Sequence, residues 1–188
     1  DNNDVEVTIQ RKKKEDYAEP YFKAIYKAER TKEIWIYGLD DDDTFDVIGE
    51  NNNIKIRIIG GQNNDNYIVS NGKKVVIYDH KSKKNDVSKA INARVKLDDS
   101  YEVNTYDFKK VRKYQNQFIP VLGANPDDGF KIGFNNTFTS YGFERNPFTS
   151  QHQLKAAYYF ATSGYEVNYK FEIANLTKNV NLELNAAM

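Results

Sequence analysis

The sequence predicts an all-β chain in which a small β-roll-like repeat domain is followed by a series of antiparallel strands. Two patterns predict it: an internal repeat with an offset of 22 residues, and later stretches that alternate apolar and polar residues. Composition changes between them, since only 11 charged residues but 8 of the 11 Phe follow residue 117. We therefore expect a lead-in segment (1–32), a β-repeat domain (33–97), a linker (98–117) and C-terminal strands (118–188).

Composition excludes several classes of protein. The 27 basic residues balance the 27 acidic ones, so the chain has no net field that attracts nucleic acid. The absence of Cys excludes disulfides, thiolate metal sites and thiol catalysis. The chain begins with Asp1 without an apolar signal region, and its only Met is Met188. We therefore expect it to be a piece of a longer protein.

The repeat aligns residues 34–47 with residues 56–69. Each copy predicts a strand, a turn rich in Gly, Asp and Asn, and a second strand with an inward aromatic residue. A third copy is indicated at residues 74–79, although its turn contains Lys and Ser instead. The matched pairs are Ile34 with Ile56, Ile36 with Ile58, Gly38 with Gly60, Asp43 with Asp65, Phe45 with Tyr67, and Val47 with Val69.

The two turns, residues 38–46 and 60–68, resemble the Gly-Gly-x-Gly-x-Asp-x-apolar-x nonapeptide of calcium-binding parallel β-rolls. Ca²⁺ takes six to eight oxygen ligands, which a tight turn can supply from carbonyl groups and Asp. The pattern predicts a calcium site and calcium as the only cofactor, with Asp41, Asp43, Asn63 and Asp65 as ligands. The alternative is a pair of Asx turns with solvated carboxylates, because Leu39, Asp41 and Asn63 replace three of the motif's glycines.

The C-terminal segment contains four stretches that alternate with period two. Tyr165, Val167, Tyr169, Phe171 and Ile173 share one face, and so do Val180, Leu182, Leu184, Ala186 and Met188. Leu154, Ala156, Tyr158 and Phe160 form a third set, and Phe130, Ile132, Phe134 and Phe138 a fourth. Each stretch therefore predicts a strand with one apolar and one polar face.

These strands fit either a membrane or a soluble sheet. They run about nine residues, which suits a tilted strand that crosses a bilayer, and aromatic residues are dense on the apolar face. The link 161–164 is short and the link 139–150 is long, as in transmembrane barrels. A soluble antiparallel sheet alternates in the same way, so the period alone leaves both open.

Several short motifs then resemble a known family. They are Pro120, Gly123-Ala-Asn-Pro-Asp-Asp-Gly129, Gly133, Tyr141-Gly-Phe-Glu-Arg-Asn-Pro-Phe148, and His152 with Ala156. In this order they resemble the start of the barrel in the bacterial surface antigen superfamily, the BamA and TamA type of outer-membrane barrel. Residues 31–45 and 56–61 are similar to the segment before that barrel in envelope proteins that begin with a calcineurin-like metallophosphoesterase.

The resemblance implies an outer-membrane β-barrel of which this chain supplies the first strands, with a periplasmic N-terminal part. Its partners would be outer-membrane lipid and other envelope proteins. The phosphoesterase motifs of the family are absent here, and His80 and His152 stand in unrelated segments. We therefore expect no enzymatic activity from this chain, and any hydrolysis would belong to upstream residues. The other function class is a soluble all-β binding domain that recognises a protein or a glycan.

Overall fold

The computed structural model describes residues 3–13, 16–49, 53–110, 113–144, 147–177 and 180–188. It divides into two compact units, Asp1–Tyr106 and Asp107–Met188, a division that falls inside the predicted linker. Apart from one short helix, the elements assigned in the described residues are β-strands, which confirms the all-β prediction. None of the helical structure described is long and apolar enough to cross a membrane.

Unit 1 opens with a hairpin in the segment predicted as a lead-in. Strand β1 (Val5–Ile9) pairs antiparallel with β4 (Phe22–Tyr26), and the two-residue strands β2 (Lys12–Lys13) and β3 (Asp16–Tyr17) pair with each other between them. Val5 packs against the core of the repeat domain. The lead-in is therefore structured and contributes to the packing of unit 1.

The repeat folds into successive coils of the chain. Each of the first three coils contributes one strand to each of two parallel sheets. The first sheet consists of β5 (Glu33–Leu39), β7 (Lys55–Gly61), β9 (Val75–Asp79) and β11 (Arg94–Leu97). The second consists of β6 (Thr44–Val47), β8 (Asn66–Val69) and β10 (Asp86–Ala90). Parallel pairing follows because each coil returns the chain to the same end of the sheet before the next strand begins.

The register confirms the sequence repeat. Ile34 pairs with Ile56 and Ile36 with Ile58 in the first sheet, while Phe45 pairs with Tyr67 and Val47 with Val69 in the second. The third copy is also present, since β9 pairs with β7 and β10 with β8. The repeated sequence positions therefore stack directly on one another.

The core of unit 1 lies between the two sheets. It consists of Ile56, Ile58, Tyr67, Val69, Val75 and Ile77. Full burial of such a side chain contributes about 1.5 to 3 kcal/mol, so this narrow seam is the main source of stability of the coils. The short helix α1 (Tyr101–Asn104) lies against β7 and β9.

Unit 2 is one antiparallel meander. Its strands are β12 (Tyr114–Asn125), β13 (Gly129–Ser140), β14 (Ser150–Tyr159), β15 (Gly164–Thr177) and β16 (Val180–Ala187), in that spatial order. The described strands form an open sheet with β12 and β16 at its edges, and no closed barrel is present among them. The predicted alternating stretches thus become neighbouring strands.

Candidate functional site

The turns of unit 1 are stabilised by hydrogen bonds between successive coils. The carboxylate Oδ1 of Asp65 accepts the N–H of Asp43 at 2.8 Å, and Asn85 Oδ1 accepts the N–H of Asp65 at 2.8 Å. The adjacent residues form a bond in which the second coil is the donor: Asp42 Oδ1 of the first coil accepts the N–H of Asn64 at 3.0 Å. The Asp and Asn side chains therefore satisfy backbone donors that the turns leave without a strand partner.

Two non-glycine residues adopt the left-handed conformation in the first turn. Leu39 has φ 78° and Asp41 has φ 75°, at positions where the nonapeptide motif has glycine. This conformation is costly for a branched residue such as Leu, which explains why glycine is preferred there. In the second turn Gly61 has φ 117° at the position of Leu39, whereas Asn63, the third replacement, does not have a positive φ.

Beneath the second turn, three oxygen atoms converge on Gly60. A β-carbon on residue 60 would lie 2.2 Å from Asp65 Oδ2, 2.2 Å from the Tyr67 hydroxyl and 2.5 Å from Asp79 Oδ2. Asp65 is 2% exposed and Asp79 is fully buried. Glycine is therefore required at position 60 by the space that the carboxyl groups occupy.

The two carboxyl groups differ in their hydrogen bonds. Asp79 Oδ2 accepts the Tyr67 hydroxyl at 2.7 Å, and Asp79 Oδ1 accepts the N–H of His80 at 2.6 Å. Asp65 Oδ2, by contrast, is buried and has no hydrogen-bond partner among the described residues. A buried unpartnered carboxylate oxygen is costly, so the charged form of Asp65 is poorly stabilised here.

Burial dominates the electrostatics of this cluster. It raises the pKa of Asp65 to about 7, with the N–H of Asp43 opposing the shift and the charge of Asp79 adding to it. Burial also raises the pKa of Asp79, and it raises that of Asp43 together with the charges of Asp41 and Asp42. Burial therefore disfavours the charged form of all three carboxyl groups.

The predicted calcium ligands are only partly brought together. Asp43 and Asp65 contact each other across adjacent coils, whereas Asp41 is exposed and Asn63 is half-buried at the turn surface. In the part of the chain that the structure describes, no group of three or more His, Cys, Asp or Glu side chains is placed to hold a metal ion. Calcium binding stays a prediction, and Asp79 is the acidic neighbour that the sequence did not indicate.

The sheet of unit 2 has two chemically distinct faces. Even-numbered residues of β12, β13, β14 and β16 share a face with odd-numbered residues of β15, because Phe134 pairs with Ala156, Leu154 with Tyr169, and Phe171 with Leu184. We call this the apolar face; the remaining positions form the polar face. All four alternating sets predicted from the sequence lie on the apolar face.

The polar face contains a network of side-chain contacts. Lys170 Nζ lies 2.8 Å from a Glu183 carboxylate oxygen and 3.6 Å from one of Glu172. The Tyr159 hydroxyl donates to Glu166 at 2.9 Å, and the Asn168 amide donates to the same carboxylate at 2.5 Å. These contacts link β14, β15 and β16 on a face that is suited to water.

The apolar face has little cover in the described part of unit 2. Leu122 is 68% exposed, Tyr165 63% and Phe118 61%. Others that are exposed on this face are Tyr114, Phe130, Ile132, Phe138, Leu154, Tyr158, Tyr169 and Leu184. Five strands about ten residues long present roughly 700 Å² per face. Soluble monomers rarely expose contiguous apolar patches above about 300 to 600 Å².

Polar groups on the apolar face hydrogen-bond to one another. The Asn136 amide donates to Asn116 Oδ1 at 2.9 Å, and His152 Nδ1 lies 2.7 Å from the Tyr169 hydroxyl. The His152 ring lies 4.7 Å from that of Phe171. Mutual pairing lowers the cost of placing such groups in an environment without water.

Comparison of the chain with protein-family models, with curated proteins and with solved structures finds no match.

Proposed function

We propose that this chain is part of an integral outer-membrane β-barrel protein and that unit 2 supplies the first strands of its barrel. The observation that carries the proposal is the exposed apolar face opposite a polar face with paired charges. In a transmembrane barrel the first faces lipid and the second faces an aqueous lumen. Four of the five strands, with 12, 12, 10 and 14 residues, support it, since transmembrane strands need about 9 to 11 residues, while β16 has 8.

In this proposal, unit 1 is a periplasmic module that links an upstream part of the protein to the barrel. Its parallel coils are held by a buried seam and by the hydrogen bonds of the turns, which suits a rigid connector. Calcium at the turns would stabilise this connector further. We assign no catalytic step to the chain and expect any hydrolysis to depend on upstream residues, including any metallophosphoesterase there.

The competing function is a soluble binding domain whose aromatic-rich sheet recognises a protein or a glycan. Exposed Tyr and Phe side chains are common at binding surfaces, so the apolar face also fits this function. The two differ in what covers the face when no specific partner is bound: lipid or detergent in the first case and water in the second.

Detergent dependence and membrane extraction separate them. The complete protein that contains this chain should stay with the membranes after a wash in alkaline carbonate and should be monodisperse only in detergent. Release by carbonate, together with a monodisperse species in plain buffer, would contradict the membrane function and favour the binding domain.

A further inference from the structure

Charged residues are unevenly distributed along the coils of unit 1. Residues 33–49, which contain β5 and β6 of the first coil, include six acidic and no basic residues. Residues 80–99, which contain β10 and β11, include six basic and three acidic residues. The net charge therefore changes sign between the first coil and the last strands of the stack.

The stacked turns show that this change follows the axis of the stack. The N–H of Asn64 donates to Asp42 Oδ1 at 3.0 Å, and the N–H of Lys84 donates to Asn64 Oδ1 at 2.9 Å. Successive turns are therefore in direct contact, and the residues at this position change from acidic through neutral to basic. Lys81 and Lys83 add two more positive charges to the same turn as Lys84.

The second sheet has the same order of charges. Its strand order is β10, β8, β6, so β6 and β10 lie on opposite sides of β8. Ile68 of β8 pairs with Asp46 on one side and with Lys89 on the other. An acidic, a neutral and a basic residue again follow one another along the stack, which makes the asymmetry a property of the coils and not of one turn.

Five of the basic side chains are exposed and form no ion pair with the described residues. They are Lys81, Lys83, Lys84, Lys89 and Arg94. Of their acidic neighbours, Asp86 accepts the N–H of Ser88, and Asp99 accepts the N–H and the hydroxyl of Ser82. The five positive charges are therefore available to a partner of opposite charge. We call these five residues the basic end of unit 1.

We propose that the basic end of unit 1 binds the surface of a membrane that contains anionic lipid. This inference rests on the proposed function, because a protein embedded in the membrane keeps unit 1 close to lipid headgroups. Anionic headgroups attract exposed Lys and Arg side chains near a membrane. An extended lipid surface fits the arrangement, since the five residues are distributed over a turn and over strands of both sheets.

The length of the stack explains why the acidic first coil does not cancel this attraction. Asp42 and Lys84 are two strand spacings apart, as are Asp46 and Lys89, which corresponds to about 10 Å. The potential of a charged surface decays over about 8 Å at physiological ionic strength. With the basic end at the headgroups, the acidic coil lies beyond this distance, whereas the reverse orientation is repelled. The charge asymmetry therefore determines which end of the stack faces the membrane.

Two matched labels measure this orientation. Ile48 and Ile91 are both exposed, and they directly follow Val47 and Ala90, which pair with the same residue, Val69. Ile48→Cys and Ile91→Cys therefore mark equivalent positions at the acidic and the basic end. Each variant is made in the complete protein with its other cysteines removed and is labelled with a donor fluorophore. Energy transfer to an acceptor lipid then gives the distance to the surface of vesicles of phosphatidylcholine, with or without phosphatidylglycerol.

Phosphatidylglycerol should bring residue 91 closer to the lipid and leave it about 10 Å closer than residue 48. Salt at about 1 M should reverse the change, because the screening length is then about 3 Å. The combined variant Lys81→Gln, Lys83→Gln and Lys84→Gln should remove most of the response to phosphatidylglycerol. The control variant Lys12→Gln, Lys13→Gln and Lys32→Gln changes the net charge equally at exposed positions outside the basic end, and it should keep the response.

Equal distances for the two labels in phosphatidylglycerol vesicles would overturn the inference, as would a response that the turn variant leaves intact. A basic end that binds an acidic protein instead of lipid would show no response to phosphatidylglycerol, which also overturns it. If the labelled protein still resists extraction by alkaline carbonate, the proposed membrane function survives each of these results. Release by carbonate would overturn the proposed function itself, so the two failures are distinguishable.

Discussion

Both units consist mainly of β-strands joined by turns, but they differ in how much of their apolar surface is buried. Unit 1 encloses a seam between two sheets and contains most of the buried apolar residues, from Ile34 to Tyr78. In the described part of unit 2, Phe143 and Ala174 are the only buried apolar residues. Unit 1 thus has an interior of its own, whereas the apolar surface of unit 2 needs cover from outside the described sheet. The following experiments test this difference, from the largest expected effect to the smallest.

Gly60→Ala should produce the largest loss, because its β-carbon would overlap the oxygens of Asp65, Tyr67 and Asp79. We expect unit 1 to lose about 3 to 5 kcal/mol of unfolding free energy. Trp35, the only Trp of the chain, lies in β5 and reports unit 1 by fluorescence during urea unfolding.

Gly49→Ala is the matched control for that experiment. Gly49 has φ 91° but no atom within 4 Å of an added β-carbon, so only the backbone cost of about 1 kcal/mol should appear. Similar losses in the two variants would contradict the packing explanation of Gly60.

Unit 2 should respond to charge on one face only. Phe171→Arg should lower the stability of the protein in a bilayer by about 2 to 4 kcal/mol if residue 171 lies near the midplane, whereas Lys170→Arg should have almost no effect. Unfolding from lipid vesicles measures both. Equal tolerance at these adjacent positions would count against a lipid-facing apolar surface.

The stability of unit 1 should fall as the pH rises from about 4 to about 7. The folded state keeps a proton on Asp65, whose pKa is about 7, while the unfolded chain loses it near 3.8. Between these values the folded state binds more protons, so the unfolding free energy decreases with pH, by about 2 to 4 kcal/mol in total.

Asp65→Asn should flatten this pH dependence, since an amide cannot ionise and its oxygen still accepts the N–H of Asp43. The exposed Asp46→Asn serves as the control and should leave the dependence unchanged. If the unfolding free energy of Asp65→Asn still decreases with pH as in the unaltered chain, a group other than Asp65 causes the decrease.

Calcium should have the smallest effect. If Asp43 and Asp65 bind the ion, Ca²⁺ at ten times its Kd adds about 1.4 kcal/mol to the stability of unit 1. The double variant Asp43→Ala with Asp65→Ala should abolish the corresponding rise in Tm. Without a rise at millimolar Ca²⁺ in the unaltered chain, these turns are structural only.

The sequence predicted what depends on local periodicity. The offset of 22 residues gave the pairing of Ile34 with Ile56 and of Phe45 with Tyr67, and alternation gave both faces of β15 and β16. These predictions are confirmed because side chains alternate between the two faces of a strand, and because coils of equal length bring equivalent residues next to each other.

Asp79 was missed for a physical reason. The second coil is shorter than the first, since Ile34 pairs with Ile56 but Ile56 pairs with Val75, so the offset that relates the first two copies no longer applies. Since Ile59 pairs with Tyr78, Asp79 follows where the second coil has Gly60, and only the folded stack shows that the two coincide. The hairpin at the N-terminus was missed because its strands are short and their pairing spans an intervening segment.

The convergence of oxygens over Gly60 also makes the coils non-interchangeable building blocks. The coil that contains Asp79 requires a glycine in the coil beneath it, and Asp79 in return accepts the buried hydroxyl of Tyr67 from that coil. Gly61 adds a second constraint, because a β-carbon there would overlap the carbonyl group of Leu39, its partner in the first coil. A second copy of the first coil stacked on the original would place Leu39 at this position, so that coil cannot be repeated in tandem unless a glycine replaces the leucine.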